Sequence, residues 1–318
     1  MQYRRLGNAG VKVSAVALGG WINYGEGKVK DEAASEVVQR AYDAGINYFD
    51  LADVYGRGEA EKQMGAILKN YPRHTLVIAS KVFWPMSDDV NDRGLSRKHI
   101  HESIDKTLQR LGADYVDLYF CHRPDPETTI EETARAMNDL IQAGKVLYWG
   151  TSEWQAAQIV EAYEVCERYG LHKPKVEQPQ YSMLYREPVE SQIMPAVEPR
   201  GIGLVVWSPL AQGMLTGKYD QGVPNDSRFA REEWARKSFF NDENAGKVRK
   251  LKGIADELGI TRAQLALAWA LRTPTVSSVI TGATKPAQVD DNVKAADVTL
   301  SSEVIAQIET ILGNTPEK

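Results

Sequence analysis

Strand-like and helix-like stretches alternate about eight times along this chain, with no linker or low-complexity break between them. That alternation is the strongest limit on the fold. Strands joined by helical crossovers lie parallel, and a parallel sheet needs helices to cover it. The expected strands are Val16–Leu18, a segment ending at Asp50, Leu76–Lys81, Tyr115–Cys121, Val146–Ser152, Val176–Gln178, Gly203–Trp207 and Ser278–Ile280. Between and after them, apolar residues recur at helical spacing over Asp31–Ala44, Glu59–Lys69, Ser96–Leu111, Thr129–Ala143, Gln155–Tyr169, Val189–Val197, Lys247–Leu258, Thr261–Leu271, Pro286–Ala295 and Ser302–Leu312. Gly45, Gly112 and Gly144 stand where three of these helices should stop.

Eight such units favour a single (β/α)8 TIM barrel over residues 1–318. The rival is a doubly wound sheet, which normally shows a G-x-G-x-x-G turn after its first strand. Leu18-Gly-Gly-Trp21 does not fit that turn, and no other segment does. A bare barrel needs roughly 250 residues. We assign the excess to an N-terminal β-hairpin at about 1–13, a long excursion at about 208–244, and extra C-terminal helices.

Composition removes several function classes. Hydrophobic residues make up 43% of the 318, enough for a large core. A net charge of −5 provides no basic field for nucleic acid. No apolar run approaches the ~20 residues of a membrane span, and the first residues lack the apolar core of a signal peptide. Cys121 and Cys166 are too few for a disulfide framework, so reduced thiols in a cytoplasmic protein are expected. No paired-cysteine or H-E-x-x-H motif is present, and no metal site is expected; His99 and His101 lie two apart on a helix and face different ways.

The chemistry gathers at strand ends, which in a β/α barrel face the active site. Asp50 ends one strand and Tyr55 follows it, Lys81 ends the next, and His122 follows the third. A free tyrosine, with a pKa of ~10, is a poor acid at neutral pH. A nearby ammonium favours the phenolate and lowers that pKa. Lys81 can supply the charge, and Asp50 can hold Lys81 protonated. Tyr55 then becomes a general acid towards a carbonyl oxygen, and His122 can orient that oxygen with a second hydrogen bond. Taken singly, Asp50 reads equally well as a turn cap and Lys81 as half of an ordinary buried ion pair. It is their joint occurrence at three strand ends that points to carbonyl reduction.

Carbonyl reduction needs a hydride, which no side chain donates. Trp207, directly after a strand, is either a stacking surface for a flat ring or barrel core, while Ser208 and the backbone after it suit a diphosphate. Thr284 and Lys285 precede a helix opening at Pro286, and a helix N-terminus suits a phosphate. Trp21 and Trp84 either wall a substrate pocket or fill loops.

These residues resemble the aldo-keto reductases. Gly45-Ile-Asn-Tyr-Phe-Asp50, Tyr55, Lys81, His122, Gly150-Thr-Ser152, Gln178, Trp207-Ser-Pro-Leu210 and Gly282-Ala-Thr284 match that family in order and span nearly the whole chain. Leu95-Ser-Arg-Lys-His99, Arg123-Pro-Asp-Pro126, Tyr148-Trp-Gly-Thr-Ser152, Gly217-Lys-Tyr-Asp220 and Ile311-Leu-Gly-Asn314 are similar to the branch holding the β subunits of voltage-gated potassium channels and their bacterial relatives. The resemblance implies NADP(H)-dependent reduction of aldehydes or ketones, with Tyr55 as proton donor, Asp50 and Lys81 tuning it, and His122 orienting the substrate. It implies Ser152 and Gln178 on the nicotinamide carboxamide, Trp207 on its ring, and Gly20, Trp21 and Asp50 at the nicotinamide end. Ser208, Pro209, Leu210, Gly213 and Lys218 fall at the diphosphate. Gly282, Thr284, Gln288, Asp291 and Asn292 fall around the adenosine, with Arg228 or Lys285 near a 2′-phosphate. Trp21, Tyr55, Trp84 and His122 would line the substrate. The branch also implies a homo-oligomer, a tetramer or larger, and a possible membrane-channel partner without membrane insertion of its own.

Four departures matter. The channel subunits carry Asn where this chain has His122, and the long N-terminal segment with which some of them block channels has no counterpart here. Glu153 stands where a cationic or amide residue is usual beside the cofactor. Gln288 stands where many reductases have arginine. The leading expectation is therefore an NADPH-dependent carbonyl reductase, ahead of a nucleotide-binding channel subunit with slow turnover. A barrel lyase using Lys81 as a Schiff-base amine ranks third, because Asp50 should keep that amine protonated.

Overall fold

A computed structural model describes residues 1–21, 23–25 and 29–316. The chain opens with a hairpin, β1 (Tyr3–Arg5) against β2 (Lys12–Ser14), followed by the first barrel strand, β3 (Val16–Gly19). Then α1 (Asp31–Asp43), β4 (Tyr48–Asp50), α2 (Glu59–Leu68), β5 (Val77–Val82), α3 (Arg97–Leu111), β6 (Val116–Cys121), α4 (Ile130–Gln142), β7 (Val146–Thr151), α5 (Ala156–Tyr169) and β8 (Val176–Glu177) follow in strict alternation. After α6 (Met194–Val197) and β9 (Gly203–Trp207), the long excursion holds α7 (Arg228–Arg231) and α8 (Glu233–Phe239). The chain closes with α9 (Asp242–Glu257), α10 (Arg262–Ala270), β10 (Val276–Thr281), α11 (Pro286–Val293) and α12 (Ser302–Leu312). Strands β3 to β10 form a closed barrel in which β10 pairs with β3, all in parallel. This is the (β/α)8 barrel with an N-terminal hairpin that the alternation predicts, and closure removes the doubly wound alternative.

Local chemistry sets the helix ends. Ser96 accepts from the His99 N–H at the start of α3, and Gly112 ends that helix in the left-handed region at φ 64°. Gln155 with Gln158, and Thr261 with Gln264, form reciprocal capping boxes at α5 and α10. The expectations miss in three places. α9 begins at Asp242 rather than Lys247, because Asn241 accepts from the Asn244 N–H and starts the helix early. The expected helix at 189–197 opens with a wide π turn over Val189–Ile193, so only its end is α. The helix expected over 286–295 stops at Val293 and tightens into a 3₁₀ turn over Lys294–Asp297.

Alternation along the strands decides which side chains face the barrel axis. Ala17, Tyr48, Val77, Ala79, Leu118, Phe120, Val176, Val205 and Ile280 pack together inside it. The hairpin closes the bottom, adding Leu6, Ala9 and Val13 to the same cluster. There the backbones meet so closely that a Cβ at Gly7 would lie 2.3 Å from the Gly201 carbonyl oxygen. With the N-terminal end plugged, only the C-terminal end is open to a ligand.

Candidate active site

Each strand-end residue named from sequence stands two positions beyond an interior one. Asp50 follows Tyr48, Lys81 follows Ala79, His122 follows Phe120, Ser152 follows Gly150 and Gln178 follows Val176. Period-two alternation therefore turns all five inward above the packed core. The register puts Asp50 beside Ala79 and Lys81 beside Phe120. Gly150, in register with Val176, leaves room there: a Cβ at Gly150 would sit 2.3 Å from the Val176 carbonyl oxygen.

The Lys81 ammonium spends all three donors. It donates to Asp50 Oδ2 at 2.7 Å, to the Leu51 carbonyl at 2.7 Å and to the Tyr55 hydroxyl at 3.1 Å. Asp50 Oδ1 accepts from the Tyr48 hydroxyl at 3.1 Å and from Gln178 Nε2 at 2.8 Å. The turn Tyr55–Gly58 aims the phenol inward, then reverses through Gly56, Arg57 and Gly58, all in the left-handed region. Two glycines in three residues make that reversal inexpensive. Sequence reasoning passed over Tyr48 as a plain strand residue; its spacing of two from Asp50 was the available signal.

Burial raises the Tyr55 pKa, Lys81 pulls it down, and Asp50 pushes it up. The net direction is upward, so the expected overall lowering by Lys81 does not hold here: desolvation outweighs the ammonium. The consequence suits a proton donor, since the phenol stays protonated at neutral pH and the Lys81 ammonium beside it favours the phenolate form. Lys81 itself is pulled down by burial, but Asp50 and Tyr55 together hold it above the usual lysine value. It is a fixed cation and a poor amine nucleophile.

His122 is buried, with its ring 5.9 Å from that of Tyr55 and nearly perpendicular to it. Burial, Lys81 and Arg123 all push its pKa well below 6.5, so the imidazole is neutral and can donate from one nitrogen. Trp84, 38% exposed, faces it edge-on at 6.3 Å. Trp21 lies 6.4 Å from Tyr55, 5.8 Å from Trp207 and 5.5 Å from Trp234. The open end thus has aromatic walls, one of them from α8 in the excursion. Trp234 was not expected at the site, and Arg123 entered only through the Arg123-Pro-Asp-Pro126 likeness, with no role. Arg123 directly follows His122, which was a usable signal; Trp234 sits in a charged run and gave none.

The expected cofactor residues fall in three groups around this end. At β7 to β9, the Ser152 hydroxyl donates to the Gln178 carbonyl at 2.8 Å, and Gln178 commits its amide N–H to Asp50. Glu153, the departure noted above, turns away from any diphosphate. Its Oε1 accepts from Trp207 Nε1 at 2.8 Å and from the Gln180 N–H at 2.5 Å, with its own backbone at φ 59°. It fixes the Trp207 ring.

The second group is the excursion. Ser208, Ala211, Gln212 and Gly213 all have positive φ, and Pro209 and Leu210 complete the same turn. A Cβ at Gly213 would lie 2.7 Å from Lys218 Nζ. Arg228 donates to Gln212 Oε1 at 2.6 Å and to Asn23 Oδ1 at 3.2 Å. Burial lowers the pKa of Lys218, and Arg228 and Arg231 lower it further. Like charges crowd here, and among the described residues none of the three forms an ion pair. A strained turn beside cations that form no ion pair among the described residues fits a diphosphate.

The third group follows β10. A Cβ at Gly282 would lie 2.5 Å from Asn23 Nδ2. Gln288 Oε1 accepts from the Thr284 N–H at 2.7 Å and its hydroxyl at 3.2 Å. Lys285 precedes Pro286 at the start of α11, and Asn292 is buried on the same helix. Asp291 accepts from Thr261 Oγ1 and Gln264 Nε2, so its carboxylate is already engaged by the start of α10.

A closed parallel barrel with this site at its open end defines the class. The chain belongs to the aldo/keto reductase family, whose sequence pattern matches residues 15–312. It is 48% identical to a probable voltage-gated potassium channel subunit beta of Arabidopsis thaliana, covering 100% of this chain and 98% of that one. It is 47% identical to a protein of the same description in Oryza sativa subsp. japonica, with the same coverage, and 42% identical to a putative one in Schizosaccharomyces pombe, covering 99% of this chain and 94% of that one. The expected family and branch are both borne out. No described helix is long and apolar enough to cross a membrane, and no described cluster of His, Cys, Asp and Glu could hold a metal ion.

Proposed function

We propose that this chain is an NADPH-dependent reductase of aldehydes and ketones, with Tyr55 as the proton donor. The observation that carries this reading is one ammonium, Lys81 Nζ, bonded at once to Asp50 and to the Tyr55 hydroxyl. A reduced nicotinamide supplies the hydride. Trp207, Ser152 and Gln178 would hold its ring end, the Ser208–Gly213 turn with Lys218 and Arg228 its diphosphate, and Thr284, Lys285, Gln288 and Asn292 its adenosine end.

The chain's own residues then do the following. The carbonyl oxygen lies between the Tyr55 hydroxyl and the neutral His122 imidazole, which donates to it and fixes its direction. As negative charge grows on that oxygen, the Tyr55 O–H bond breaks and its proton passes to the oxygen. Lys81 stabilises the phenolate left behind, and Asp50 keeps Lys81 charged and in place. The aromatic walls exclude water, which strengthens each of these interactions.

The test is NADPH oxidation with a reactive aromatic aldehyde, comparing wild type with Tyr55→Phe after both are shown to bind NADPH equally. The reading expects turnover by the wild type and a loss of several orders of magnitude in the variant. Equal activity in both would remove Tyr55 from its role.

A second reading has support from one observation, the 42–48% identity to proteins described as potassium channel β subunits. On it, the chain is a cytoplasmic, oligomeric nucleotide-binding partner of a membrane channel, and turnover is slow. Tight NADPH retention with no turnover, or co-purification with a membrane protein, favours this second reading. The intact His122 favours the first.

A further inference from the structure

Among the described residues, the rings of Trp21, Trp84, Trp207 and Trp234 wall the reaction site, and the Arg123 guanidinium stands beside Trp84. Lys81, the cation beneath, has no solvent exposure and has spent its donors within the protein. Arg123 is different. It follows His122 directly and is only half-buried. Its guanidinium lies 5.6 Å from the centroid of the Trp84 ring, which itself faces His122 at 6.3 Å. Of its five N–H groups only one finds an acceptor among the described residues, where Nη1 donates to the His122 carbonyl. That bond and the ring beside it hold the fork in one place.

No described carboxylate pairs with Arg123. The nearest in sequence, Asp125, turns away. Its oxygens accept from the Leu95 N–H at 2.7 Å, the Thr128 hydroxyl at 2.9 Å and the Glu127 N–H at 2.9 Å, which folds its own loop. A half-buried guanidinium with free donors, aimed beside a reacting centre, matches a carboxylate bidentately.

On the basis of the reductase reading, we propose that Arg123 is a specificity-determining residue that selects aldehydes carrying a carboxylate a few bonds from the carbonyl. The aromatic walls favour a flat body between the two groups, and holding both ends pins the carbonyl under Tyr55 and His122.

The experiment compares 4-formylbenzoate with its methyl ester, which differ in charge but hardly in shape, in wild type, Arg123→Gln and Arg123→Lys. Wild type should prefer the anion by about tenfold or more in kcat/KM, chiefly through KM, as expected for one charge-assisted pair. The preference should fall as KCl is raised. Arg123→Gln should bring the ratio near one, and Arg123→Lys should restore part of it. Arg123 also favours the Tyr55 phenolate; its loss slows both substrates alike, so the ratio is the readout. An equal rate on both compounds in wild type, or a preference that survives Arg123→Gln, overturns the proposal. If neither compound turns over, terephthalate binding followed by tryptophan fluorescence decides. Binding lost in Arg123→Gln keeps the anion site while the reductase reading fails; binding that ignores Arg123 sinks the site as well.

Discussion

Lys81 Nζ lies 2.7 Å from Asp50 Oδ2, with side chains 0% and 4% exposed. Few charged pairs are so fully removed from water, and such a pair is costly to break from one side. Removing one partner strands the other's charge in the barrel. Lys81→Met should therefore destabilise the protein by about 3–5 kcal/mol in urea unfolding, and Asp50→Asn combined with Lys81→Met should recover part of that loss. A single variant as stable as the wild type would show that the pair carries no such penalty.

Tyr55→Phe separates chemistry from architecture. Among the described residues the phenol makes one hydrogen bond, which it accepts from Lys81. Its loss should lower aldehyde reduction by several orders of magnitude, leave NADPH affinity within a small factor, and change stability by about 1 kcal/mol. Stopped-flow hydride transfer with equilibrium NADPH binding checks all three.

Glu153 joins Trp207 to the Gln180 backbone. A glutamine keeps the accepting oxygen and an alanine does not. Glu153→Gln should bind NADPH nearly as the wild type does. Glu153→Ala, freeing the indole, should weaken binding by about tenfold and shift the tryptophan emission. Fluorescence titration reads both, and equal affinity in the two variants argues against a positioning role.

Asp53 gives a pH signature away from the chemistry. It is fully buried behind the site, where Ser103 donates to Oδ2 at 3.0 Å and Oδ1 has no hydrogen-bond partner among the described residues. Burial first, and the Glu61 carboxylate second, push its pKa up to about 8. The folded state thus keeps a proton that the unfolded chain loses near the ordinary aspartate value. Stability is present at low pH and is lost as pH rises through that window towards 8. Asp53→Asn removes the dependence, so its thermal midpoint should overtake that of the wild type increasingly between about pH 5 and 8 and level off above that. Parallel melting curves across that range would falsify the assignment.

His122 titrates in the opposite sense. Its folded pKa is depressed, so on acidification the unfolded chain takes up a proton below about 6.5 before the folded one does, and stability falls. Over the same range the folded imidazole stays neutral. kcat/KM should therefore show no break near pH 6.5, and a bell-shaped profile centred there would mean that His122 is the titrating donor.

The sequence by itself determined the frame. Eight alternating units required helix-covered parallel strands, and the period of two carried Asp50, Lys81, His122, Ser152 and Gln178 inward once the strand ends were placed. Those are local properties, written in spacing and in glycines such as Gly45, Gly112 and Gly144 that follow helices. What only the tertiary structure decided depends on residues far apart in the chain. Gln178 reaches the Asp50 carboxylate across 128 positions. Glu153 turns under Trp207 because two distant N–H groups meet there. Trp234 reaches Trp21 only because the excursion folds back across the open end. Desolvation, which reversed the expected direction of the Tyr55 shift, is likewise a property of the closed barrel. No spacing rule reports it, because the solvent-excluding neighbours of a side chain come from every strand around the barrel rather than from its own.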